Sequence, residues 1–353
     1  MDYKKELDEL VGYMITEGAS DLHLSEERVP IMRVATSLIP ITKRPEMTRS
    51  DIKGILDVMI NERQKEIFVE LKEADFAYNY MDKIRFRGNV YYRTGKISIA
   101  LRMIPKNIRG LAELNLPPIL EEFANKQQGF FLCVGPTGQG KSTTLAAMIE
   151  HINTHRLEHI ITIEDPIEYM FESKKAIIDQ REIGQDTPNF PTALRGVFRE
   201  DIDVLMVGEM REPETIATAV TAAETGHLVF STLHTNTAAQ SIARIIDSFV
   251  AEQQSQIRVQ LAGSLLGIFS QRLIPRIAGG LVPAYELLIN NEAVANLIRE
   301  NRTHEINNVI ETGSAQGMID LNRTLADLVK QGEISIENAH LYSQNTKSLE
   351  RFM

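Results

Sequence analysis

Apolar positions recur with a helical period at the start of the chain. Leu7, Leu10, Val11, Met14 and Ile15 lie three, four, seven and eight residues apart, with charged residues between them, which predicts an amphipathic helix. Asp21-Leu22-His23-Leu24 reads as a short strand. Thr48-Arg49-Ser50-Asp51 has capping-box character ahead of Ile52, Ile55, Leu56, Met59 and Ile60, which predicts a second helix. The period then shortens to two. Phe76, Tyr78 and Tyr80 alternate with polar residues, as do Ile84 and Phe86, and then Ile97, Ile99, Leu101 and Met103, the pattern of antiparallel strands. Residues 1–104 are therefore expected to form a small α+β domain with helices packed on a sheet.

From 105 to 118 no period is sustained, and Pro105, Gly110, Pro117 and Pro118 punctuate the stretch, which reads as a linker. Beyond it, β-rich runs at 129–135, 159–164, 204–207 and 227–233 are separated by helix-length segments, so 119–353 is expected to be an α/β domain with a largely parallel sheet. The last hundred residues, from about Ala251, read as mostly helical. No internal repeat or low-complexity stretch is visible.

Composition narrows the class. A chain of 353 residues suggests about two domains, and 43% hydrophobic with 24% charged residues is ordinary for a globular protein. One cysteine, Cys133, excludes a disulfide scaffold and a thiolate zinc cage, and fits a reducing cytoplasm. The 38 basic and 48 acidic residues sum to −10, which disfavours non-specific binding to a phosphate backbone. No apolar run approaches the roughly 20 residues needed to span a bilayer, and no export signal is seen, so a soluble protein without membrane insertion is expected. A membrane complex can still be its partner.

The most specific chemistry lies in Gly135-Pro136-Thr137-Gly138-Gln139-Gly140-Lys141-Ser142, directly after the apolar run Phe130-Phe131-Leu132-Cys133-Val134. This is a complete phosphate loop in the strand-to-helix context it requires. The bare pattern arises by chance in about 1% of chains of this length. Glycines let backbone N–H groups turn around a polyphosphate, Lys141 can reach the β- and γ-phosphates, and the Ser142 hydroxyl can ligate Mg²⁺. With Thr143 these residues form the candidate nucleotide-binding set. The alternative is a glycine-rich turn carrying a surface lysine.

Two apolar strands end in carboxylates at the side of a parallel sheet where ligands bind. Ile160-Ile161-Thr162-Ile163-Glu164-Asp165-Pro166 offers Glu164. Val204-Leu205-Met206-Val207-Gly208-Glu209 has Gly208 where a Walker-B aspartate is expected, which leaves that role to Glu209. Either glutamate alone could also be a solvated strand-end carboxylate. His227 and His234 bracket a third strand, and locally each is as well explained by packing. Arg85 and Arg87 share one face of a strand in the first domain, with Arg102 on a later one, a set suited to phosphate or simply to a solvated face. Cys133 and the scattered methionines read as core.

Taken together, GPTGQGKSTTLAAMI, ITIEDPIEY, VGEMREPETI and TGHLVFSTLHTNTAA, with SDLHL, RFRGN, LIREN and QGM outside them, resemble the secretion ATPase superfamily, most closely its PilT-like ATPases that retract type IV pili. The resemblance runs nearly end to end. It implies a PAS-like N-terminal domain followed by a RecA-like P-loop ATPase domain, assembled as a homohexamer at the cytoplasmic face of the inner membrane. There it would bind ATP or ADP with Mg²⁺ and act on a pilus platform protein, beside a paralogous pilus ATPase. By position it assigns Lys141 and Ser142 to phosphate and Mg²⁺, Glu164 to water activation, and Glu209 to metal and water organisation. His227 and His234 fall on the family's His box, and Arg85, Arg87 and Arg102 on arginines that reach the phosphates. Three positions depart from the family pattern. Gln139 stands where serine is commoner, Ile202 where proline is usual, and Ala295 where an arginine precedes Asn296-Leu297-Ile298-Arg299-Glu300. The last is closer to PilU-like accessory motors. Open alternatives are an accessory motor, an extension or type II secretion ATPase, a nucleic-acid translocase and a non-hydrolysing ring protein.

Overall fold

A computed structural model describes residues 2–34, 37–81, 84–104 and 107–353. Pro105, one mark of the expected linker, lies outside them. The chain divides into two compact units, Met1–Asn107 with Glu168–Met170, and Ile108–Ile167 with Phe171–Met353.

The first unit begins with α1 (Tyr3–Glu17), started by Asp2, whose carboxylate accepts from the Lys5 N–H, and stopped at Gly18 in the left-handed conformation. Leu7, Leu10, Val11 and Met14 are buried, but Ile15 is exposed. It lies about 90° round the helix from the centre of the stripe, beyond the reach of the sheet. Then come β1 (Ala19–Ser25), β2 (Ile31–Val34), β3 (Ser37–Pro40), α2 (Arg49–Met59), α3 (Glu62–Leu71), β4 (Glu73–Tyr80), β5 (Ile84–Arg93) and β6 (Lys96–Ile104). Thr48 and Asp51 form the capping box read from the sequence, and Ile52, Ile55, Leu56 and Met59 are buried. The six strands are antiparallel in the order β3-β2-β1-β6-β5-β4. Helix α3 has no counterpart in the sequence reading. It buries only Phe68, too few apolar positions for a period to show, and is fixed by an Asn61/Gln64 capping box and the stacking of Phe68 on Tyr92.

The second unit contains α4 (Ile119–Ala124), β7 (Gly129–Val134), α5 (Lys141–His155), β8 (His159–Glu164), β9 (Ile177–Glu182), α6 (Phe190–Val197), β10 (Val204–Val207), α7 (Pro213–Glu224), β11 (Leu228–Leu233), α8 (Ala238–Asp247), α9 (Ala251–Ser264), β12 (Leu265–Pro275) and β13 (Leu281–Ile289). Helices α10 (Glu292–Arg299), α11 (Ile306–Thr312), α12 (Leu321–Lys330), α13 (Ile336–Tyr342) and α14 (Thr346–Phe352) close it. The sheet order is β13-β12-β7-β11-β10-β8-β9, parallel throughout except for the β12–β13 hairpin. This is a RecA-like ATPase fold preceded by an N-terminal α+β domain. Phe130, Leu132 and Val134 of β7 face one packed layer, Phe131 and Cys133 the other, so the central strand is covered on both sides. Burial pushes the Cys133 thiol up to about 12, in keeping with a core residue.

Beyond Ala251 the chain is more helix than strand, as expected, but α9 is followed by two strands, β12 and β13, that the pattern did not show. Leu265–Pro275 has both faces covered, so its apolar residues do not alternate, and a run without alternation is indistinguishable by period from a buried helix. No helix among the described residues is long and apolar enough to cross a membrane.

Candidate nucleotide site

Parallel strands deliver their loops to one edge of the sheet. Val134 at the end of β7 pairs with Leu233 at the end of β11, and Val207 of β10 pairs with Ile163 of β8, so the segments after all four strands emerge side by side. Residues 135–140 form the first of these. Gly135, Gly138 and Gly140 all have positive φ, and Gly140 starts α5 with no side chain capping it. A helix N-terminus behind a glycine loop concentrates backbone donors and a positive dipole end at one point. Lys141 is buried, with its ammonium donating to the Gly135 carbonyl at 2.9 Å and the Pro136 carbonyl at 3.0 Å.

The loop after β11 brings His234 to the same place. Its Nδ1 lies 3.5 Å from the Lys141 ammonium and its Nε2 3.7 Å from the Glu209 carboxylate. With an ammonium on one side and a carboxylate on the other, the compatible neutral tautomer accepts at Nδ1 and carries its proton on Nε2. Burial and the Lys141 charge push the imidazole below its usual range, and Glu209 only partly opposes them. Glu209 also pairs with Arg211 at 2.8 Å. Its strand is held from β11, where the Ser231 hydroxyl donates to the Val207 carbonyl and the Thr232 hydroxyl to that of Gly208.

Gly208 explains itself sterically. A β-carbon there would lie 3.3 Å from the Ile163 carbonyl oxygen and 3.4 Å from the Glu164 Cα, so a side chain would press on the neighbouring acidic strand end. The position expected to carry aspartate is a crowded one, and the carboxylate stands one residue on, at Glu209.

Glu164 is buried at the end of β8. Its Oε1 accepts from the Thr162 hydroxyl at 2.7 Å and from the Gln180 side-chain amide at 3.3 Å. Such bonds fix the orientation of the carboxylate. The segment that follows is pinned by Glu182, whose Oε2 accepts from the Ile167 N–H.

Lys141, Ser142, Glu164, Glu209 and His234 thus belong to one edge of one sheet. His227 does not. It precedes β11, at the opposite end of a six-residue strand about 20 Å long, and its Nδ1 contacts the Ala222 carbonyl while Phe198 packs edge-on against its ring. Arg85, Arg87 and Arg102 lie in the first unit. Arg87 sits directly opposite Arg102 in the β5–β6 register, and Arg85 precedes Arg87 by two, so all three share a face. Arg102 pairs with Asp21 at 2.8 Å and Arg85 with Asn79 at 3.3 Å, while Arg87 is exposed.

Sequence reading missed Thr162, Gln180, Arg211, Ser231 and Thr232. Most carried a faint signal, being polar residues inside strands that are otherwise apolar. For a nucleotide-bound Mg²⁺ the donors fit: the Ser142 hydroxyl in the first turn of α5 and the oxygens of Glu209 and Glu164 are hard ligands, and no histidine, cysteine or carboxylate cluster among the described residues forms a protein-only metal cage.

Residues 3–351 match the protein family described as type II/IV secretion system protein. Over 334 residues the chain is 42% identical to the type IV pilus retraction ATPase PilT of Pseudomonas aeruginosa, spanning 95% of this chain and 97% of that protein. It is 39% identical over 348 residues to the type IV pilus ATPase PilU of the same organism, spanning 98% and 90%. A crystal structure of the pilus retraction motor PilT with bound ADP superposes with a TM-score of 0.91 at 45% identity, covering 97% of this chain and 98% of that one.

Proposed function

Because the chain belongs to the type II/IV secretion system protein family, which it matches over residues 3–351, we propose that it is a Mg²⁺-dependent ATPase motor that powers type IV pilus retraction. The observation that carries this reading is the alignment of Lys141, His234 and Glu209 beside the glycine loop, with Glu164 at the next strand end. Residues Gly135 to Thr143 wrap the polyphosphate, and Lys141 exchanges the carbonyls of Gly135 and Pro136 for phosphate oxygens. Glu164, oriented by Thr162 and Gln180, takes the proton of the attacking water. The Nε2–H tautomer of His234 passes the state of Lys141 on to Glu209. Ser142, with Glu209, would hold the Mg²⁺, which would supply charge neutralisation at the bound phosphates. Catalysis rests on position and charge rather than covalent chemistry.

The remaining assignments need an assembly. The protein works as a homohexamer on the cytoplasmic side of the inner membrane, engages a platform protein, and uses Arg85, Arg87 and Arg102 on the phosphates and His227 toward a neighbouring subunit. Ala295 favours a second reading as an accessory motor. It is 5% exposed in α10, so this helix buries a methyl group where the resemblance places an arginine.

Turnover and pilus counts test the reading. Lys141→Ala is expected to lose nucleotide binding, and Glu164→Gln to keep binding while losing turnover by about a hundredfold or more. A Glu164→Gln protein with wild-type turnover would remove the base assignment. In cells, deletion should leave excess surface pili and no twitching, and a Glu209→Ala copy should not restore motility. Bald cells would mean extension instead, and an unchanged strain an accessory motor.

A further inference from the structure

The phosphate loop is held from behind by a residue that no sequence motif marks. Gln271 on β12 is 3% exposed. Its Nε2 donates to the Gln139 carbonyl at 2.8 Å, and its Oε1 accepts from the Thr144 hydroxyl at 2.6 Å. Its own carbonyl oxygen lies 2.6 Å from where a β-carbon on Gly135 would stand, and its Nε2 2.9 Å from one on Gly140. The backbone of β12 therefore leaves no room for a β-carbon at Gly135, and the Gln271 amide lies against Gly140 as well. Two positions along β12, the Leu273 N–H donates to the Gln139 side-chain oxygen at 2.8 Å. Gln139, a departure from the commoner serine, is thus gripped at its main chain and at its side chain by the same strand.

We propose that Gln271 is a positioning residue for nucleotide binding, acting by setting the orientation of the Gln139–Gly140 peptide. In a trans peptide the carbonyl and the following N–H point in opposite directions. With the Gln139 carbonyl drawn against β12, the Gly140 N–H is aimed away from the strand, into the concavity of the loop where phosphate oxygens bind. Released, the same peptide can turn its carbonyl inward and present a negative dipole end to the phosphates. The bond between Gln271 and Thr144 fixes the first turn of α5 in the same frame, so the N–H groups of loop and helix converge on one point.

This inference rests on the nucleotide reading above, and the experiment separates the two. The full-length chain and its Gln271→Met and Gln271→Glu variants would be compared by binding of the fluorescent analogue mant-ADP and by steady-state ATP hydrolysis, with thermal melting as the check on folding. Both substitutions conserve side-chain size. Met removes the donor, and Glu replaces it with an oxygen facing the Gln139 carbonyl. About tenfold weaker mant-ADP binding and a KM for ATP raised to match are expected for Met, with a larger loss for Glu and a smaller change in kcat, since the loop grips ground state and transition state alike. Thr144→Val, which cuts the other end of the link, should add little to the loss in Gln271→Met. Wild-type affinity in a folded Met variant, or a fall in kcat with KM unmoved, would overturn the proposal. A wild-type chain that binds no mant-ADP would instead overturn the nucleotide reading, and this inference with it.

Discussion

At the scale of single residues, the site is defined as much by what is excluded as by what is present. Gly208 is the clearest case. A β-carbon there would press on the Ile163 carbonyl and touch the Glu164 backbone, and the carboxylate proposed for the metal side is that of Glu209, one residue on. Gly208→Asp, which restores the expected residue, should therefore impair the enzyme by crowding Glu164. A fall in kcat of about tenfold or more, with mant-ADP binding within about threefold of wild type, is expected from steady-state kinetics and titration. Restored or improved turnover would mean that the strand end yields. Lys141, Ser142, Glu164 and Glu209, the residues proposed to act on the nucleotide, stand out in the sequence because each belongs to a motif, and the fold brings them to one sheet edge. Their supports do not. Gln180 and Gln271 act on residues far off in the chain, and no local pattern encodes which elements lie side by side; Thr162 sits two residues before Glu164 on the same strand, where a lone polar position in an apolar run is its only mark.

At the scale of elements, the sequence displayed what has a period and hid what is buried on both faces. Helices α1 and α2 and the strands β4 to β6 alternate cleanly because each has a wet side. The hairpin β12–β13 does not, and it reads as helix for that reason. The opposite edge of this sheet carries a pH-sensitive joint. His159 at the start of β8 bonds the Asp179 carboxylate of β9 at 3.0 Å and the Asp201 carbonyl at 3.1 Å, while its own N–H donates to Asp203 ahead of β10. Burial lowers its affinity for a proton, but the bonds to Asp179 and Asp201 outweigh that and hold the imidazole above its ordinary value. The folded state then binds the proton more tightly than the unfolded one. The stabilisation is complete below about pH 6.5 and is lost as pH rises through the folded-state value. Urea unfolding at pH 6 and pH 8 should show wild type losing more stability than His159→Gln between the two. Equal losses would mean that Asp179 does not hold the charged form.

At the scale of the whole molecule, two units with separate cores divide the labour. One holds the nucleotide machinery, and the other carries three arginines on one sheet face. If those arginines serve phosphates within a ring, subunits depend on one another. Doping wild type with Glu164→Gln protein should then depress turnover faster than the wild-type fraction falls, whereas a proportional decline would indicate independent subunits. The hairpin that backs the phosphate loop has a consequence for how the chain matures. All strands of the first unit come from residues 19–104, so its sheet can close early during synthesis from the N-terminus. The phosphate loop reaches its support only across 132 residues, from Gln139 to Gln271. A nascent chain that has already emitted every recognisable nucleotide motif still lacks the strand against which Gln139 and Thr144 are set. Until β12 leaves the ribosome, the growing polypeptide carries the full signature of an ATPase without the strand that backs its phosphate loop.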